Sequence, residues 1–520
     1  MTPARIFRAT LLLALAVPGS GRAQEQCVPV YGTLVGGTLT VQSIGWPDLA
    51  HVGLLYGGAD AVASRRCLVP DSIAPPPRGI QRLGLDLLPL PVRSDLGYRS
   101  SYPFDRNNGV VWAGRGLTQS ASGGAVLTAG RVRLTVYPTI AYHQNRDFRT
   151  TWPGYRYRFS SLDWPQRFGS GPYWSAHPGQ SALAVDLGPV FVSAGTENLW
   201  WGPAGRYPII LSSTGPGFPH VRMGTARPQW IGVGWLEAGV LWGRLEESAH
   251  YDADPINDRR LMTMVTLAYR PSFVPGLALG VDLVQHHLWD DPWQRARDLF
   301  VSTDHTDSNA LGSLVIDWRI AEGGVRIYSE WAREDHFLDF EDLVTEIDHS
   351  QGYLIGLEKR LGAPDRAWRL RGELTRLSRT NTQSERPQPS FFEHGDVIQG
   401  HTNRGQLLGS ALGPGSNAQF IAVDRTSRSG MAGAYVERIR HNDDAYEDFF
   451  ADVYGFRAHD TELTLGLYGL NRMGPVNLDW DLAASRRKNR DFIGLDYVSW
   501  DFVRESNLAL TVSATWQPLP

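Results

Sequence analysis

Much of the chain alternates between apolar and polar residues with a period of two. In the stretch 324–334, Val325 and Ile327 fall on one side of the pattern, whereas Arg326 and Glu330 fall on the other. Since successive side chains of a strand point to opposite faces, strict alternation predicts β-strands. Further stretches with this pattern are 132–142, 276–287, 311–320, 353–361, 367–377, 432–441, 461–470 and 507–516.

Three features favour a membrane barrel over a soluble β-sandwich, which also alternates and is the alternative. The strands approach the ~10 residues that a tilted strand needs to cross a bilayer. The 18 Trp, 19 Tyr and 19 Phe residues can supply the interfacial girdles of a barrel. Charged residues at alternate positions suit a wet lumen; they include Asp282, Arg326, Glu330, Glu358, Arg371 and Glu373.

The predicted fold class is therefore all-β, a transmembrane antiparallel β-barrel of the outer membrane. The pattern contains roughly 15 to 18 strands, and bacterial barrels have even numbers, so about 16 or 18 are expected. No apolar run is long enough for a helical membrane span, which leaves a closed barrel as the way to satisfy the backbone in lipid.

The N-terminus has the layout of a secretory signal peptide. Arg5 and Arg8 precede a short apolar run, and cleavage is expected after Ala23. A Pro-rich stretch at 69–79 separates a small N-terminal piece from the rest. The expected organisation is a signal peptide (1–23), an N-terminal periplasmic or plug segment of helical or irregular structure (24–100) and a barrel with long extracellular loops (101–520).

Composition restricts cofactors and partners. Cys27 and Cys67 lie near the mature N-terminus, where an oxidising compartment permits one disulfide; two free thiols are the alternative. The net charge of −4 gives no electrostatic reason for a nucleic-acid partner. The acidic stretch 332–350, with His336 and His349, offers oxygen and imidazole ligands for a divalent ion, but a solvated loop is the preferred interpretation.

The sequence contains no recognisable catalytic constellation. A serine nucleophile elbow, a zinc motif and a phosphate-binding glycine loop are all missing from it. The glycines of 109–116 lack the spacing of a nucleotide site and indicate a bend in a strand. We therefore expect no enzyme activity, no cofactor and no metal.

Connections of unequal length are typical of barrels, which have short periplasmic turns and long outer loops. Short turns are expected at 270–276 and 322–324. The long loops are expected at about 143–180, 288–309, 333–350, 378–430 and 440–460.

The loop 143–180 interleaves aromatic and basic residues. Its candidate polysaccharide-binding residues are Trp152, Arg156, Arg158, Trp164 and Trp174. Aromatic rings stack on the apolar faces of sugars, and guanidinium groups bond to hydroxyls or carboxylates, as in other sites built from apolar area and polar anchors. The same residues can instead pack against one another within the loop.

The stretch 195–220 carries adjacent tryptophans, Trp200 and Trp201, directly before Gly202-Pro203. Pro216-Gly217 forms a second break. Irregular backbone at membrane depth is tolerated only where protein covers it or where it lines the lumen. We expect this stretch to fold inward and brace the barrel, with one tryptophan on the wall side and one inward; direct ligand contact is the alternative. Its expected polar anchors are Glu197, Arg206, His220 and Arg222.

Three segments in order resemble signatures of the capsule assembly Wzi family. They are 103–124, 197–224 and 391–417, the last with His394, Asp396 and Arg404 as further residues of the inward-folded motif. The resemblance implies an outer-membrane barrel of about 18 strands with a small periplasmic helical bundle. It also implies a lectin that holds exported capsular polysaccharide at the cell surface and is not an enzyme.

The leading functional hypothesis is thus a lectin-like barrel with capsular or extracellular polysaccharide and outer-membrane lipid as partners, acting as a monomer. A pore for small solutes or sugars is the alternative, because charged residues at alternate positions can also line a channel. A barrel with a dispersed catalytic site is a weaker third hypothesis.

Overall fold

The fold consists almost entirely of antiparallel strands. The computed structural model describes residues 80–82, 85–150, 161–226, 228–251, 258–289, 308–320, 322–334, 340–362, 366–384, 386–427, 430–451, 458–492, 495–496 and 501–516. Within these residues the strands form one sheet of 24 strands and two small two-stranded sheets. The expectation of an all-β antiparallel fold is confirmed.

The strands in chain order are β1 (Ile80–Arg82), β2 (Leu85–Pro89), β3 (Val92–Arg99), β4 (Gly116–Ser122), β5 (Ala125–Ala129), β6 (Val132–Val136), β7 (Thr139–His143), β8 (Tyr173–His177), β9 (Ala182–Asp186), β10 (Val190–Gly195), β11 (His220–Thr225), β12 (Gln229–Trp230), β13 (Gly234–Glu246), β14 (Arg259–Pro271), β15 (Leu277–Leu288), β16 (Ser308–Ile320), β17 (Val325–Glu334), β18 (Gln351–Leu361), β19 (Trp368–Arg376), β20 (Thr402–Asn403), β21 (Gln406–Leu407), β22 (Asn417–Ser427), β23 (Gly430–His441), β24 (Asp460–Met473), β25 (Val476–Lys488), β26 (Leu495–Asp496), β27 (Asp501–Phe502) and β28 (Arg504–Trp516). The described helical turns are α1 (Phe340–Thr345), α2 (Asp443–Phe449) and 3₁₀ turns at Asn381–Ser384 and Arg490–Phe492.

Neighbouring strands in the sheet follow chain order. From β13 to β19, and again from β22 to β25, each strand pairs with the next. Strand β19 pairs with β22, and β25 pairs with β28. The last long strand, β28, also pairs with β3, from Ala509↔Arg99 to Trp516↔Val92.

Several short strands are halves of longer, interrupted ones. Leu90 and Pro91 separate β2 from β3, and Tyr137 and Pro138 separate β6 from β7. The two halves of one interrupted strand pair with the two halves of the next: β3 pairs with β4, and β2 pairs with β5. Proline has no N–H to donate to a ladder, which explains why pairing stops there. Since β1 to β3 belong to the sheet, the sheet begins upstream of residue 101, where the sequence analysis placed its start.

Connections alternate between two ends of the sheet because consecutive strands are antiparallel. The short connections are 130–131, 187–189, 226–233, 272–276, 321–324, 362–367, 428–429 and 474–475. The long connections are 100–115, 144–172, 196–219, 247–258, 289–307, 335–350, 377–416, 442–459 and 489–503. All short connections therefore lie at one end and all long connections at the other.

The two faces of the sheet differ as the alternation predicted. Ile327 is 41% exposed, whereas its neighbours Arg326 and Glu330 are buried. All six charged positions expected to face a lumen are buried. The opposite face carries exposed apolar residues on successive strands, among them Ile140, Leu314, Ile316, Ile355, Leu370, Ile421, Val436 and Leu465.

Two expected loops are shorter than the pattern suggested. The loop expected at 143–180 ends at β8, and the loop expected at 378–430 ends at β22. Short strands with a proline between them gave no clear alternation, which is why β8 and β9 were missed. Among the residues that the structure describes, no helix is long and apolar enough to cross a membrane.

Candidate functional site

Three of the long connections turn inward and pack against the polar face of the sheet. We call them segment A (100–115), segment B (196–219) and segment C (377–416). Each contains a run of buried residues. One apolar cluster joins segments B and C to the strands of the large sheet, which we call the wall. The cluster includes Leu199, Trp201, Tyr207, Ile209, Ile210, Leu211, Phe391, Phe392, Leu407, Leu408, Leu241, Met262, Met264, Val284, Leu311 and Leu354.

Segment B leaves the sheet because its backbone cannot continue a strand. Gly202 has φ +106°, a conformation that L side chains rarely adopt. A Cβ at this position would lie 2.7 Å from Glu330 Oε2. The N–H of Trp201 then donates to the carbonyl of Leu211 at 3.0 Å, which closes the segment into a compact loop.

The carboxylate of Glu373, on β19, receives three backbone N–H groups from segment B. Gly205 and Tyr207 each donate to it at 2.9 Å, and Arg206 donates at 3.2 Å. An irregular loop buried against the sheet would leave these donors unpaired, and an unpaired buried donor costs about 1–3 kcal/mol. Glu373 thus replaces the partners that a strand would have supplied.

Glu437, on β23, joins two segments to the wall. The Arg206 guanidinium donates to its Oε1 at 2.9 Å, and the Tyr207 hydroxyl donates to the same oxygen at 2.6 Å. From segment A, Arg106 lies 3.0 Å from Oε2. One buried carboxylate therefore forms ion pairs with a guanidinium group of segment A and with another of segment B.

Strand β17 supplies a third anchor. Glu330 accepts the N–H of Ile209 at 3.2 Å. Arg326 donates to the carbonyl of Pro203 at 2.6 Å and is itself held by Asp317 and Glu358. The wall therefore offers both acceptors and donors to the same loop.

The segments also bond to one another. The N–H of Ser212 in segment B donates to Leu408 of segment C at 2.8 Å. The N–H of Gly109 in segment A donates to Ser213 at 2.6 Å. Asn107 donates to the Arg206 carbonyl at 3.0 Å. Segments A, B and C thus form one connected body, called the plug below.

Glu197, His220 and Arg222 meet where segment B joins the sheet. Arg222 lies 3.0 Å and His220 lies 3.5 Å from Glu197 Oε1. Burial alone would raise the pKa of Glu197, but the nearby His220 and Arg222 outweigh it and lower this pKa to about 2. The carboxylate is therefore ionised at neutral pH and ties the start of segment B to β11.

The two tryptophans of segment B differ in burial. Trp201 is buried in the apolar cluster, and Trp200 is half-buried.

Within the third signature, the buried His394 accepts the N–H groups of Asp396 and Val397 at its Nδ1. Asp396 itself is exposed, so it is not an inward anchor as expected.

Arg404 is also exposed, contrary to the expectation of an inward position. Its Nε donates to Glu246 Oε2 at 2.8 Å, at the end of β13. Its φ of +51° places it in the left-handed region at a turn between β20 and β21. Arg404 thus fastens segment C to the end of a wall strand instead of entering the lumen.

The candidate residues predicted in the loop after β7 lie in different parts of the structure. Trp164 is partly buried against segment C, where a Cβ at Gly413 would come within 2.4 Å of its ring. Trp174 lies on β8, is 68% exposed and stacks obliquely on Tyr142 on the outward face. Trp174 therefore does not belong to a loop platform with Trp164. Trp152, Arg156 and Arg158 lie outside the described residues, as do Cys27, Cys67 and His336.

Sequence reasoning missed Glu437 as a site residue, although its strand was predicted. The sequence did contain a signal, because the alternation of the strand places Glu437 on the same face as Tyr435 and Ile439.

In the acidic connection before β18, His349 is buried. Among the residues that the structure describes, no group of three or more His, Cys, Asp or Glu residues is arranged to hold a metal ion.

His401 belongs to segment C and connects this segment to segment B and to strand β15. Its Nε2 donates to the Ile210 carbonyl at 2.7 Å, and its Nδ1 lies 2.8 Å from Nε2 of His286 on β15. A neutral imidazole has one donor, so Nδ1 of His401 accepts from His286. Burial, together with nearby Arg260, outweighs the opposing Ile210 bond and lowers the pKa of His401 to about 4.

We expect the plug to loosen as the pH falls from about 6.5, the value for an unperturbed histidine, toward 4. In that window the unfolded segment binds a proton that the folded segment excludes, so stability falls with pH. Hydrogen exchange of the amides of segments B and C at pH 7 and 4.5 measures this, with the amides of β24 as the internal control. Equal protection of the plug at both pH values, or the same loss in His401→Asn, would contradict the assignment.

Comparison with known proteins gives a family match that includes the segments 197–224 and 391–417. Residues 175–426 match the family described as Capsule assembly protein Wzi. A search of curated protein sequences gives no match. The solved structure of Wzi from Escherichia coli, described as an outer membrane protein involved in group 1 capsule assembly and a carbohydrate-binding β-barrel, is similar in fold. It has a TM-score of 0.57 and 13% identity, over 82% of this chain and 85% of that one.

Two further solved structures also match. A BenF-like porin from Pseudomonas fluorescens Pf-5 gives a TM-score of 0.41 at 10% identity, over 84% of this chain and 99% of that one. OccAB4 of Acinetobacter baumannii gives a TM-score of 0.41 at 11% identity, over 82% and 97% of the two chains.

Proposed function

We propose that the chain, whose residues 175–426 match the capsule assembly Wzi family, is a non-enzymatic, lectin-like barrel that binds exported capsular or extracellular polysaccharide at the surface of the outer membrane. The observation that carries this proposal is the plug: three segments pack against the polar face of the sheet and are held there by buried carboxylates. In the proposed barrel the plug fills the lumen. A filled lumen suits a scaffold that holds a ligand outside better than it suits a conduit.

The proposed barrel has 18 strands and is closed by the pairing of β28 with β3. The large sheet has 24 strands. Joining the four interrupted pairs, β2–β3, β4–β5, β6–β7 and β8–β9, and omitting the short β1 and β12, leaves 18. Closure is required in lipid because an open sheet edge leaves backbone groups unpaired.

The exposed apolar face would contact lipid. Aromatic residues on this face occur near the short connections at Trp318, Trp368 and Trp516, which is where an interfacial girdle is expected. Near the long connections, Trp174 and Tyr142 occupy a corresponding position. Outer-membrane barrels have short periplasmic turns, so the long connections are proposed to face the cell exterior.

The proposed glycan surface lies above the plug, on the connection 144–172. Trp164 rests on Gly413 of segment C, and Phe168 lies close to Gly405 of the same segment. Arg167 beside them is partly exposed, and its guanidinium bonds to Asn145, Asp147 and Ser170 of the same connection. Because the plug is rigidly fixed to the wall, it would hold these rings in place for stacking. We retain Trp152, Arg156 and Arg158 of the same connection as further proposed contacts.

Replacing Trp164 and Trp152 with alanine is expected to reduce retention of polysaccharide on cells by at least about fivefold, as for loss of aromatic anchors at other binding surfaces. Trp174→Ala is the matched control, because it removes the same ring from the outward face. Surface glycan is measured with a labelled lectin or antibody, and assembly is checked by the heat-modifiable migration of the barrel. Unchanged retention by an assembled double variant would reject this surface as the binding site.

A further inference from the structure

A cavity of about 100 Å³ lies between the wall and the plug. This volume is several times the ~10–15 Å³ that one water molecule needs. Strands β3, β4 and β7 line it from the wall, and segments A and B line it from the plug. Its polar lining residues include Arg93, Asp95, Arg99, Asn108, Thr118, Ser120, Ser122, Thr139, Gln180, Asn198, Ser213 and Thr511.

Arg93, on β3, lines the cavity with a buried guanidinium that has unused donors. The residue is 3% exposed. Its Nη2 donates to Ser513 Oγ at 2.8 Å and lies 2.5 Å from Asp95 Oδ1. Its Nε and Nη1 have no hydrogen-bond partner among the described residues. Since buried polar groups are almost always satisfied, these N–H groups indicate an acceptor that the protein itself does not supply.

The carboxylate of the cavity lining is already engaged. One oxygen of Asp95 pairs with Arg93, and the other accepts from the Ser120 hydroxyl at 2.9 Å. Asp95 therefore offsets the charge of Arg93, but it leaves the Nε and Nη1 donors of that residue unused.

Arg99 adds a second guanidinium to the lining. It donates to the carbonyl of Phe104 at 3.1 Å and to the Thr511 hydroxyl at 3.0 Å, which are neutral acceptors. Asp105 and Asp481 interact electrostatically with Arg99, but neither of them lines the cavity. Among the described lining residues there are thus two guanidinium groups and one carboxylate, an excess of positive charge that favours an anion.

Segment B supplies a free hydroxyl from the plug side of the cavity. Ser213 is 2% exposed, and its Oγ has no hydrogen-bond partner among the described residues. Its carbonyl accepts the N–H of Gly109 at 2.6 Å, so segment A holds the residue in place. Because a hydroxyl both donates and accepts, Ser213 suits a ligand that carries hydroxyl groups.

From these observations we propose that the cavity binds a sugar acid, with its carboxylate on Arg93 and its hydroxyls on the polar lining, including Ser213. A carboxylate accepts charge-assisted hydrogen bonds from the planar guanidinium. A neutral sugar would leave the excess positive charge uncompensated, and a simple acid such as acetate would leave the Ser213 hydroxyl without a partner. This site lies apart from the proposed outer glycan surface and does not depend on it.

The test uses the full chain in detergent micelles with D-galacturonate, D-galactose and acetate as probes. Saturation-transfer NMR is expected to detect D-galacturonate and not D-galactose, which carries a hydroxymethyl group in place of the carboxylate. Acetate, which lacks the hydroxyls, is expected to bind at least about tenfold more weakly than D-galacturonate, as for loss of several hydrogen bonds.

Arg93→Gln is expected to weaken D-galacturonate binding about tenfold, as for loss of hydrogen bonds to a charged group. Ser213→Ala removes a hydroxyl that has no protein partner among the described residues and is expected to weaken this binding about threefold. Arg131→Gln is the matched control, because Arg131 is exposed in the turn between β5 and β6 and does not line the cavity. It should bind as the wild type does.

No binding of D-galacturonate to the wild type, equal binding of D-galactose, equally tight binding of acetate, or unchanged affinity in assembled Arg93→Gln would each overturn the proposal. If Arg93→Gln does not assemble, Arg93→Lys decides, because it keeps the positive charge beside Asp95 but replaces the planar guanidinium. It is also expected to weaken D-galacturonate binding about tenfold.

A short oligogalacturonate distinguishes the two sources of a sugar acid. Displacement of bound D-galacturonate by the oligomer supports a unit of an acidic glycan as the ligand, whereas displacement by the free acid alone supports a small sugar acid. The variants of Trp152 and Trp164 should bind D-galacturonate as the wild type does. The outer glycan surface and this cavity are therefore tested by different variants, and either proposal can fail without the other.

Discussion

Glu437→Ala is expected to release the plug from the wall and to open an ionic path through the lumen. The substitution leaves the Arg206 guanidinium buried without its 2.9 Å partner and removes the 3.0 Å contact of Arg106. Breaking a buried ion pair by removing one partner costs about 3–5 kcal/mol, because the remaining charge is uncompensated. Here two charges are affected, one in segment A and one in segment B.

Conductance in planar bilayers measures the opening. The wild-type protein is expected to stay closed, and Glu437→Ala is expected to give steady currents. Glu346→Gln is the control, since its pair with Arg386 is partly exposed on both sides and exposed pairs contribute at most about 1 kcal/mol. Steady currents through the wild type would favour the pore hypothesis, and a closed Glu437→Ala variant would show that this carboxylate does not hold the plug.

Ile421→Arg is expected to destabilise the barrel by about 2–4 kcal/mol, the effect of an arginine on the lipid face near the bilayer midplane. Ile421 is 62% exposed, and it occupies the middle of β22. Ile327→Arg should cost less, about 0–1 kcal/mol. Ile327 pairs in register with Trp318 of the proposed girdle near the short connections, so we expect it to lie close to an interface.

Equilibrium unfolding in phospholipid vesicles, followed by tryptophan fluorescence, gives both free energies of unfolding. Val344→Arg, on the exposed helix α1, is a control outside the sheet and should change stability by less than about 0.5 kcal/mol. Equal losses for Ile421→Arg and Ile327→Arg would mean that the proposed depth of these positions is wrong. No loss in either would mean that this face does not meet lipid.

The inward turn of segment B followed from its residues, but its partners did not. Gly202-Pro203 cannot extend a strand, so the break was evident from the sequence. Arg206 and Glu437 are 231 positions apart, and no local pattern connects them. Their meeting depends on how many strands separate β10 from β23 around the sheet.

The aromatic residues after β7 also show that a local sequence pattern does not determine which residues meet in the fold. Trp164 and Trp174 have similar neighbours in the sequence, and composition alone assigned them to one loop. The structure places Trp164 on segment C and Trp174 on the outward face of β8. The difference arises because β8 pairs with β7, which fixes the direction of each side chain, and such pairing is decided by the whole sheet.

The sequence by itself determined the class of fold and the facing of its strands, because a period of two assigns every side chain of a paired strand to one of two faces. Arg326 and Glu330 were thus expected inward, and they are buried. Only the tertiary structure decided which wall carboxylates hold which plug residues. Those contacts join residues from distant strands, and their distances depend on the register and curvature of the complete sheet.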